Sequence, residues 1–401
     1  MPLTANAPAR QSRSVQARHG LDLADIHLVL FFTRGVSLRA WAETGMLERE
    51  VALYRRLRPR LRALTFVTYG DASDLDYGSA IDGISVVCNR WSLPLAAYRS
   101  WIGAIRSRLW RRPTIVKTNQ IPGAELARAA ATAAQAHFVA RCGYLHSEFM
   151  DRRFGVDSAV AREASIQERD AFVAADRIVV TTPAMRASIH ARYGIADDRI
   201  AVIPNYVDTE RFRPLAGRSE AVRRAAFVGR LEPQKNPVAL VEALAGLGIE
   251  LVVMGDGPLR QEMVAAAEAG GVRIDFRGNV RHDALPAALN DCDLFILPSL
   301  YEGHPKALLE AMACGLPVVG AATPGIREVI TDGADGILCG TESASIRTAV
   351  VSLAADPAQC KRLGAAARET VLQTVSLSKV AELEIALLHE VAHGPATGMS
   401  G

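Results

Sequence analysis

Short apolar runs alternate with helical segments from one end of the chain to the other. Ile26-His27-Leu28-Val29-Leu30-Phe31-Phe32 reads as a buried first strand. Thr33-Arg34-Gly35-Val36-Ser37 then turns into a helix near 38–58, broken at Pro59. Strands follow near 63–68 and 84–87, then a helix near 94–110 and a strand at 114–117. An alanine-rich helix, 123–135, leads to a strand at 137–141. A helix at 162–175, a strand at 177–181, a helix at 183–192 and a strand at 199–203 complete the first half. The second half repeats the rhythm, with strands near 225–229, 249–254, 273–277, 293–297 and 317–320 and a last helix at about 376–392. Strands that are apolar throughout are buried on both faces, and the intervening helices bury them. The pattern therefore predicts an α/β protein with parallel, doubly wound sheets. No repeat of short period interrupts it.

Length changes this picture by one step. At 401 residues the chain exceeds what one core supports, so two Rossmann-like domains are expected. A composition 49% hydrophobic and 22% charged is that of a globular protein, and a net charge of +3 gives no electrostatic argument for a nucleic-acid partner. Cys88, Cys142, Cys292, Cys314, Cys339 and Cys360 are scattered, with neither a Cys-x-x-Cys pair nor metal-ligand spacing, as suits reduced structural thiols in a cytosol. Residues 1–20 are polar and Ala/Pro-rich without an apolar core, which reads as a disordered tail and not a secretory signal. No uncharged apolar run reaches the roughly 18 residues of a spanning helix.

Two segments carry the chemistry. In Tyr301-Glu302-Gly303-His304-Pro305-Lys306-Ala307-Leu308-Leu309-Glu310, Pro305 suits the first turn of a helix, while Gly315 and Pro317 suit its end. A short helix over about 305–314 thus starts after Glu302 and carries Glu310 in its second turn. Its free N–H groups and dipole make an anion pocket. Two acids beside an anion pocket make sense if the ligand also carries hydroxyls, as a nucleotide sugar does. The second segment supplies countercharge. The strand Ala225-Ala226-Phe227-Val228-Gly229 runs into Arg230-Leu231-Glu232-Pro233-Gln234-Lys235-Asn236-Pro237, which places Arg230 and Lys235 at the carboxyl end of a strand, where open α/β sheets bind ligands. The chain has only five lysines, and Lys235 and Lys306 both fall in these two loops.

Together these segments resemble the retaining glycosyltransferases of family 4, which have the GT-B fold of two Rossmann-like domains facing across a cleft. Val228 to Asn236 is similar to that family's strand-Gly-Arg-Leu-x-x-x-Lys stretch, and Glu302 and Glu310 to its Glu-x7-Glu pair. Met254-Gly255-Asp256-Gly257-Pro258-Leu259 resembles its Gly-Asp-Gly-Pro turn, and Leu297-Pro298-Ser299 its lead-in to the acids. Val202 to Pro214, containing Asn205, resembles its interdomain stretch, with Tyr206 where glycine is usual. The resemblance implies an acceptor-side domain over 21–212, a nucleotide-sugar domain over 213–375 and a helix over 376–393 crossing back to the first domain. It implies that Arg230 and Lys235 neutralise a diphosphate, Glu310 accepts from a ribose and Glu302 touches the donor sugar. Gly255, Gly303, His304, Pro305, Lys306, Ala307 and Leu308 would complete the donor site, with Gly35 on a loop reaching across the cleft. Fixed cations and helix-end amides would stabilise the leaving diphosphate, so no metal or other cofactor is implied.

The first domain is less explicit. Where family members place a histidine, this chain has Val139-Ala140-Arg141-Cys142-Gly143-Tyr144-Leu145-His146. Arg141 is a candidate for phosphate or acceptor, and Lys117, at the end of the neighbouring strand, is a second polar cleft candidate. Of two Asp-x-Asp triplets, Asp74-Leu75-Asp76 sits in an apparent loop and Asp291-Cys292-Asp293 runs straight into a strand, the wrong context for a metal; neither is expected to hold one. The stretch 90–112 holds three of the four tryptophans, six arginines and no acid, and suits an anionic membrane surface as well as a wet helix face. The expected activity is transfer of a sugar from a nucleotide-diphosphate donor to a glycan or lipid-linked glycan, in cytoplasmic assembly of a bacterial surface polysaccharide. A GT-B nucleotide-sugar epimerase would need no acceptor. A nicotinamide oxidoreductase would need a Gly-x-Gly-x-x-Gly turn that this chain lacks. A sugar-binding module would not need two cations beside two acids.

Overall fold

A computed structural model describes residues 22–102, 110, 113–215 and 221–394. Among the described residues, thirteen strands form two parallel sheets. The first contains β1 (His27–Phe31), β2 (Ala63–Val67), β3 (Ser85–Val87), β4 (Thr114–Thr118), β5 (His137–Cys142), β6 (Arg177–Val180) and β7 (Ile200–Val202). Their order is β3-β2-β1-β4-β5-β6-β7. The second contains β8 (Arg224–Val228), β9 (Glu250–Met254), β10 (Ile274–Gly278), β11 (Leu294–Leu297), β12 (Val318–Ala321) and β13 (Ile337–Cys339), in the order β10-β9-β8-β11-β12-β13. In each sheet the chain starts in the middle, winds to one edge, then returns and winds to the other. The reversal lies between β1 and β4 in the first and between β8 and β11 in the second, and such reversals open a crevice at the carboxyl ends of the strands.

The apolar strands are buried on both faces because alternate side chains serve different cores. Leu28 and Leu30 of β1 face one cluster while Val29 and Phe31 face another. In β11, Phe295 and Leu297 join one cluster and Leu294 and Ile296 the opposite one. The chain passes between the domains twice, at Val207 and at Ser376, and the two passages are bonded together. Val207 N donates to Val375 O at 3.0 Å, and Leu377 N donates to Val207 O at 2.8 Å. Beyond this crossing, helix Leu377–His393 lies on the first domain, where Val380, Leu387, Leu388 and Val391 enter its core. Val207 and Phe212 pack in the second domain's core. Core membership therefore divides the domains at the crossing, before the residue 212 read from sequence.

Several elements differ from the sequence pattern. The helix expected over 38–58 is two, Leu38–Glu43 and Leu47–Leu57, separated at Gly45 with φ +70°. A helix at His146–Phe154 and the strand β13 were not indicated by the pattern. Of the helix near 94–110, Leu95–Trp101 is seen. Residues 103–109, 111 and 112 lie outside the described residues, as does the tail 1–20. All six cysteines are free and buried.

Candidate active site

The loops leaving β8 and β11 meet at the reversal point of the second sheet. Leu300 N donates to Gln234 O at 2.8 Å, Gln234 Nε2 to Tyr301 O at 2.9 Å, and Lys235 Nζ to Glu302 Oε1 at 2.5 Å. The turn after β9 closes on the same point. A Cβ on Gly255, whose φ is +149°, would lie 1.9 Å from Gly229 O, so only glycine lets these loops touch. Pro305 begins the helix Lys306–Ala313 without a side-chain cap, which leaves the first amides of that helix for a ligand. These loops form one wall of a cleft of about 1160 Å³ between the domains. Lys235, Gly255, Glu302, Gly303, His304, Pro305, Lys306, Ala307, Glu310 and Arg230 all line it, as do Arg141 and Asn205 from the other side.

Each acid is already answered by a cation or a ring. Glu310 is 2% exposed, and His282 Nε2 lies 3.0 Å and Arg49 Nη1 3.7 Å from its Oε1. Lys306 lines the cleft from the start of helix Lys306–Ala313. It crosses the cleft, and its Nζ donates to Glu50 Oε1 at 2.6 Å. Burial works against the Glu50 carboxylate, but the charges of Lys306 and Arg49 outweigh it and hold its pKa down to about 2. Arg230 is the most exposed of the three cations on these loops. Its side chain is 67% exposed, with Glu232 Oε1 3.0 Å from Nη1.

A polar chain runs across the domain boundary. Arg141 Nη1 donates to Asn119 O at 3.1 Å and Nη2 to Asn205 Oδ1 at 3.2 Å. Asn205 Nδ2 donates to His304 O at 2.7 Å, and Asn205 N donates to His304 Nδ1 at 3.2 Å. Because Nδ1 accepts, a neutral His304 carries its proton on Nε2. Burial, aided by the charge of Lys306, lowers its pKa to about 4. The two walls touch where a Cβ on Gly303 would meet Gly143 O at 3.2 Å.

Three sequence expectations need correction. Lys117 is not in the cleft. It is 1% exposed, and its Nζ lies 2.6 and 2.5 Å from the two oxygens of Glu384 on the returning helix, because β4 is a central strand covered by that helix. Gly35 does not line the cleft either. It has φ +79° and open space around its Cα, and the loop is held by Arg34 N donating to Pro122 O. Gly45 takes the expected place, since a Cβ there would lie 3.5 Å from Arg281 Cα of the second domain. Leu308 is fully buried in the core and can offer a ligand only its amide.

Arg49, Glu50 and His282 are site residues the sequence did not indicate. Only His282 had a signal, as a polar residue soon after a strand's carboxyl end. Tyr206, which stands where glycine is usual, has a structural role. Its hydroxyl accepts from Leu53 N at 3.3 Å and donates to Arg49 O, so it bridges two backbone groups one turn apart on helix Leu47–Leu57. The acidic triplets are structural too. Asp74 accepts from Thr68 Oγ1 at 2.5 Å and Arg39 N at 3.1 Å, and Asp293 accepts from the amides of Arg223 and Arg224, both at 2.9 Å. In the tryptophan-rich stretch, Trp110 is buried against Phe31 and Arg99 pairs with Glu125 at 2.8 Å, while Trp91 is 48% exposed.

Residues 51–211 match the family model described as glycosyltransferase family 4, and residues 208–370 match that described as glycosyl transferases group 1. A D-inositol 3-phosphate glycosyltransferase of Streptomyces bingchenggensis is 32% identical over 228 residues, half of each chain. An alpha-maltose-1-phosphate synthase of Mycolicibacterium smegmatis is 31% identical over 254 residues, 56% of this chain and 66% of that one. The chain thus spans about half to two thirds of the length of these curated relatives. Among solved structures, Anabaena HepE in complex with UDP and glucose superposes with a TM-score of 0.72 at 18% identity, over 90% of this chain and 99% of that one. Sucrose-phosphate synthase from Thermosynechococcus elongatus gives 0.70 at 18% identity, over 91% and 98%. These likenesses show the GT-B fold.

Proposed function

The chain belongs to glycosyltransferase family 4, and from that membership and the cleft geometry we propose that it transfers a sugar, with retention, from a nucleoside-diphosphate sugar to a glycan or lipid-linked glycan. One observation carries the donor assignment. Lys235 and Glu302 lie 2.5 Å apart where two strand ends, a glycine turn and a helix start converge, with the exposed Arg230, paired with Glu232, beside them. Arg230, Lys235 and the amides of the helix at Lys306 neutralise the departing diphosphate. Charge develops there as the glycosidic bond breaks, and groups fixed beforehand stabilise it without reorganising. This arrangement supplies positive charge from the chain itself, and activity is expected to persist in EDTA. Both contacts to Glu310 fall on Oε1, which leaves Oε2 to accept from a ribose hydroxyl. Glu302 takes a donor-sugar hydroxyl and exchanges Lys235 between carboxylate and phosphate. The UDP, glucose and UDP-glucose named in the HepE structures support a nucleotide sugar as donor.

The setting we propose is assembly of a bacterial surface polysaccharide at the cytoplasmic face of a membrane. Among the described residues no helix is long and apolar enough to cross one. Arg90 lies over the exposed ring of Trp91 at 4.5 Å, a pair suited to an anionic lipid surface. Co-sedimentation with anionic vesicles at low salt, lost in Trp91→Ser, is the expected result; indifference of the wild type to such vesicles would remove the membrane contact. Incubating the enzyme with UDP-, GDP- and ADP-sugars and extracted lipid-linked glycans tests the activity. One donor should give a mass increase of one sugar, with its anomeric configuration kept by NMR. Inversion, or consumption of donor by isomerisation alone, would overturn the proposal.

A further inference from the structure

The cleft carries more positive charge than a donor requires. Its lining holds seven arginine or lysine side chains and four glutamates. Four of those cations are committed: Arg49 and Lys306 to Glu50, Lys235 to Glu302, and Arg230 to Glu232. The three that remain are Arg141, Arg152 and Arg153, all on the first domain. Among the described residues, none of them has a carboxylate within ion-pair distance. Arg141 bonds only to amide oxygens, Arg152 lies over the Tyr301 ring at 5.1 Å, and Arg153 lies over Phe154 at 5.3 Å. Arg152 and Arg153 end the helix His146–Phe154, where basic residues complement the dipole. That accounts for their being basic. It does not account for Arg152 leaning across the domain boundary onto Tyr301, the residue next to Glu302.

Beside these arginines is an apolar platform. The rings of Tyr144 and Phe149 lie 5.0 Å apart, and those of Phe149 and Tyr301 5.1 Å apart at 82°. Tyr301 comes from the donor-binding domain and the other two from the facing one. All three line the cleft. Aromatic faces suit the C–H faces of a sugar ring, and guanidinium groups suit carboxylate and phosphate oxygens in paired geometry. From this surplus charge beside aromatic rings, we infer that the acceptor is an acidic sugar, one bearing a carboxylate or a phosphate, whose anionic group is held by Arg141 and Arg152 with Arg153 reinforcing them. The acid group then fixes the ring on the Tyr144, Phe149 and Tyr301 surface and presents a hydroxyl beside Glu302. Neutral sugars lack that anchor. This inference rests on the transferase function proposed above.

Its test separates the two. Calorimetry first identifies which of UDP, GDP and ADP binds; if none does, the transferase proposal falls. With that nucleotide saturating, ligand-observed NMR then measures binding of glucuronate, glucose 6-phosphate and methyl glucoside to wild type, Arg152→Gln and Arg141→Gln. Nucleotide affinity is the control for each variant. At least one of the two acidic sugars should bind at least tenfold tighter than methyl glucoside, weaken at high salt, and lose at least tenfold in each variant. Which acid prevails tells a uronate site from a sugar-phosphate site. Three results would overturn the inference with the transferase proposal intact: no preference for either acid, displacement of the acids by the nucleotide, or equal binding by the variants.

Discussion

Glu302 and Glu310 are acids in the site proposed for a diphosphate, and each already has a positively charged or imidazole neighbour. Glu310 is fixed by His282 and Arg49, and Glu302 by Lys235. The two should therefore fail differently. If Glu310 takes the ribose hydroxyls proposed for it, Glu310→Gln should lower nucleotide affinity. Glu302→Gln should lower turnover more than nucleotide affinity, because the partner proposed for it is the sugar. Equal losses of nucleotide affinity in both variants would contradict this division. His304 makes a pH prediction. Burial lowers its pKa from 6.5 to about 4, so the folded protein favours the neutral ring. That contribution to stability is present above pH 6.5 and is lost as pH falls through about 4. A pH series of thermal unfolding on wild type and His304→Gln should show the variant less sensitive to acid between these values. An inflection of turnover near 6.5 that His304→Gln abolishes would contradict a buried neutral ring.

Helix Leu47–Leu57 brings Arg49 and Glu50 into the cleft, and the Tyr206 hydroxyl bridges Arg49 O and Leu53 N on it. Removing that hydroxyl takes one hydrogen-bond partner from each of Arg49 O and Leu53 N. Tyr206→Phe should cost about 1 kcal/mol in urea denaturation, the usual net worth of such a bond; no change would mean that the bridge does not stabilise the helix. Which elements the sequence revealed follows from their packing. Strands β1, β4, β8 and β11 are apolar runs because both faces are covered, and that leaves a pattern to read. Helix His146–Phe154 buries only Ser147 and so has no apolar stripe. Strand β13 is three residues long. The donor loops were legible because glycine, proline and charge lie close together in sequence. Arg49 and Glu50 were not, because what faces Lys306 across a cleft depends on how two domains dock. Lys117 was misread for the same reason, since Glu384 is 267 residues away and covers it from the last helix.

The domains are joined by two crossings bonded to each other at Val207, and the returning helix is anchored by the buried pair of Lys117 and Glu384 and by Arg177, whose Nη2 lies 2.6 Å from Glu390. Lys117→Met leaves an unpaired carboxylate in the first domain's core and should cost about 3–5 kcal/mol, whereas Lys117→Met with Glu384→Leu should recover most of it. Equal stability of the single variant and the wild type in urea would deny the pair this anchoring role. The donor site is tested most directly by titrating UDP, GDP and ADP into metal-free protein by calorimetry, alongside Lys235→Ala. One nucleoside diphosphate should bind at one site per chain. Lys235→Ala should bind it roughly ten- to a hundredfold more weakly, as loss of a charge-assisted hydrogen bond of about 1.5–3 kcal/mol requires. Binding of none of the three, or unchanged affinity in Lys235→Ala, would contradict a nucleotide-sugar site in this cleft.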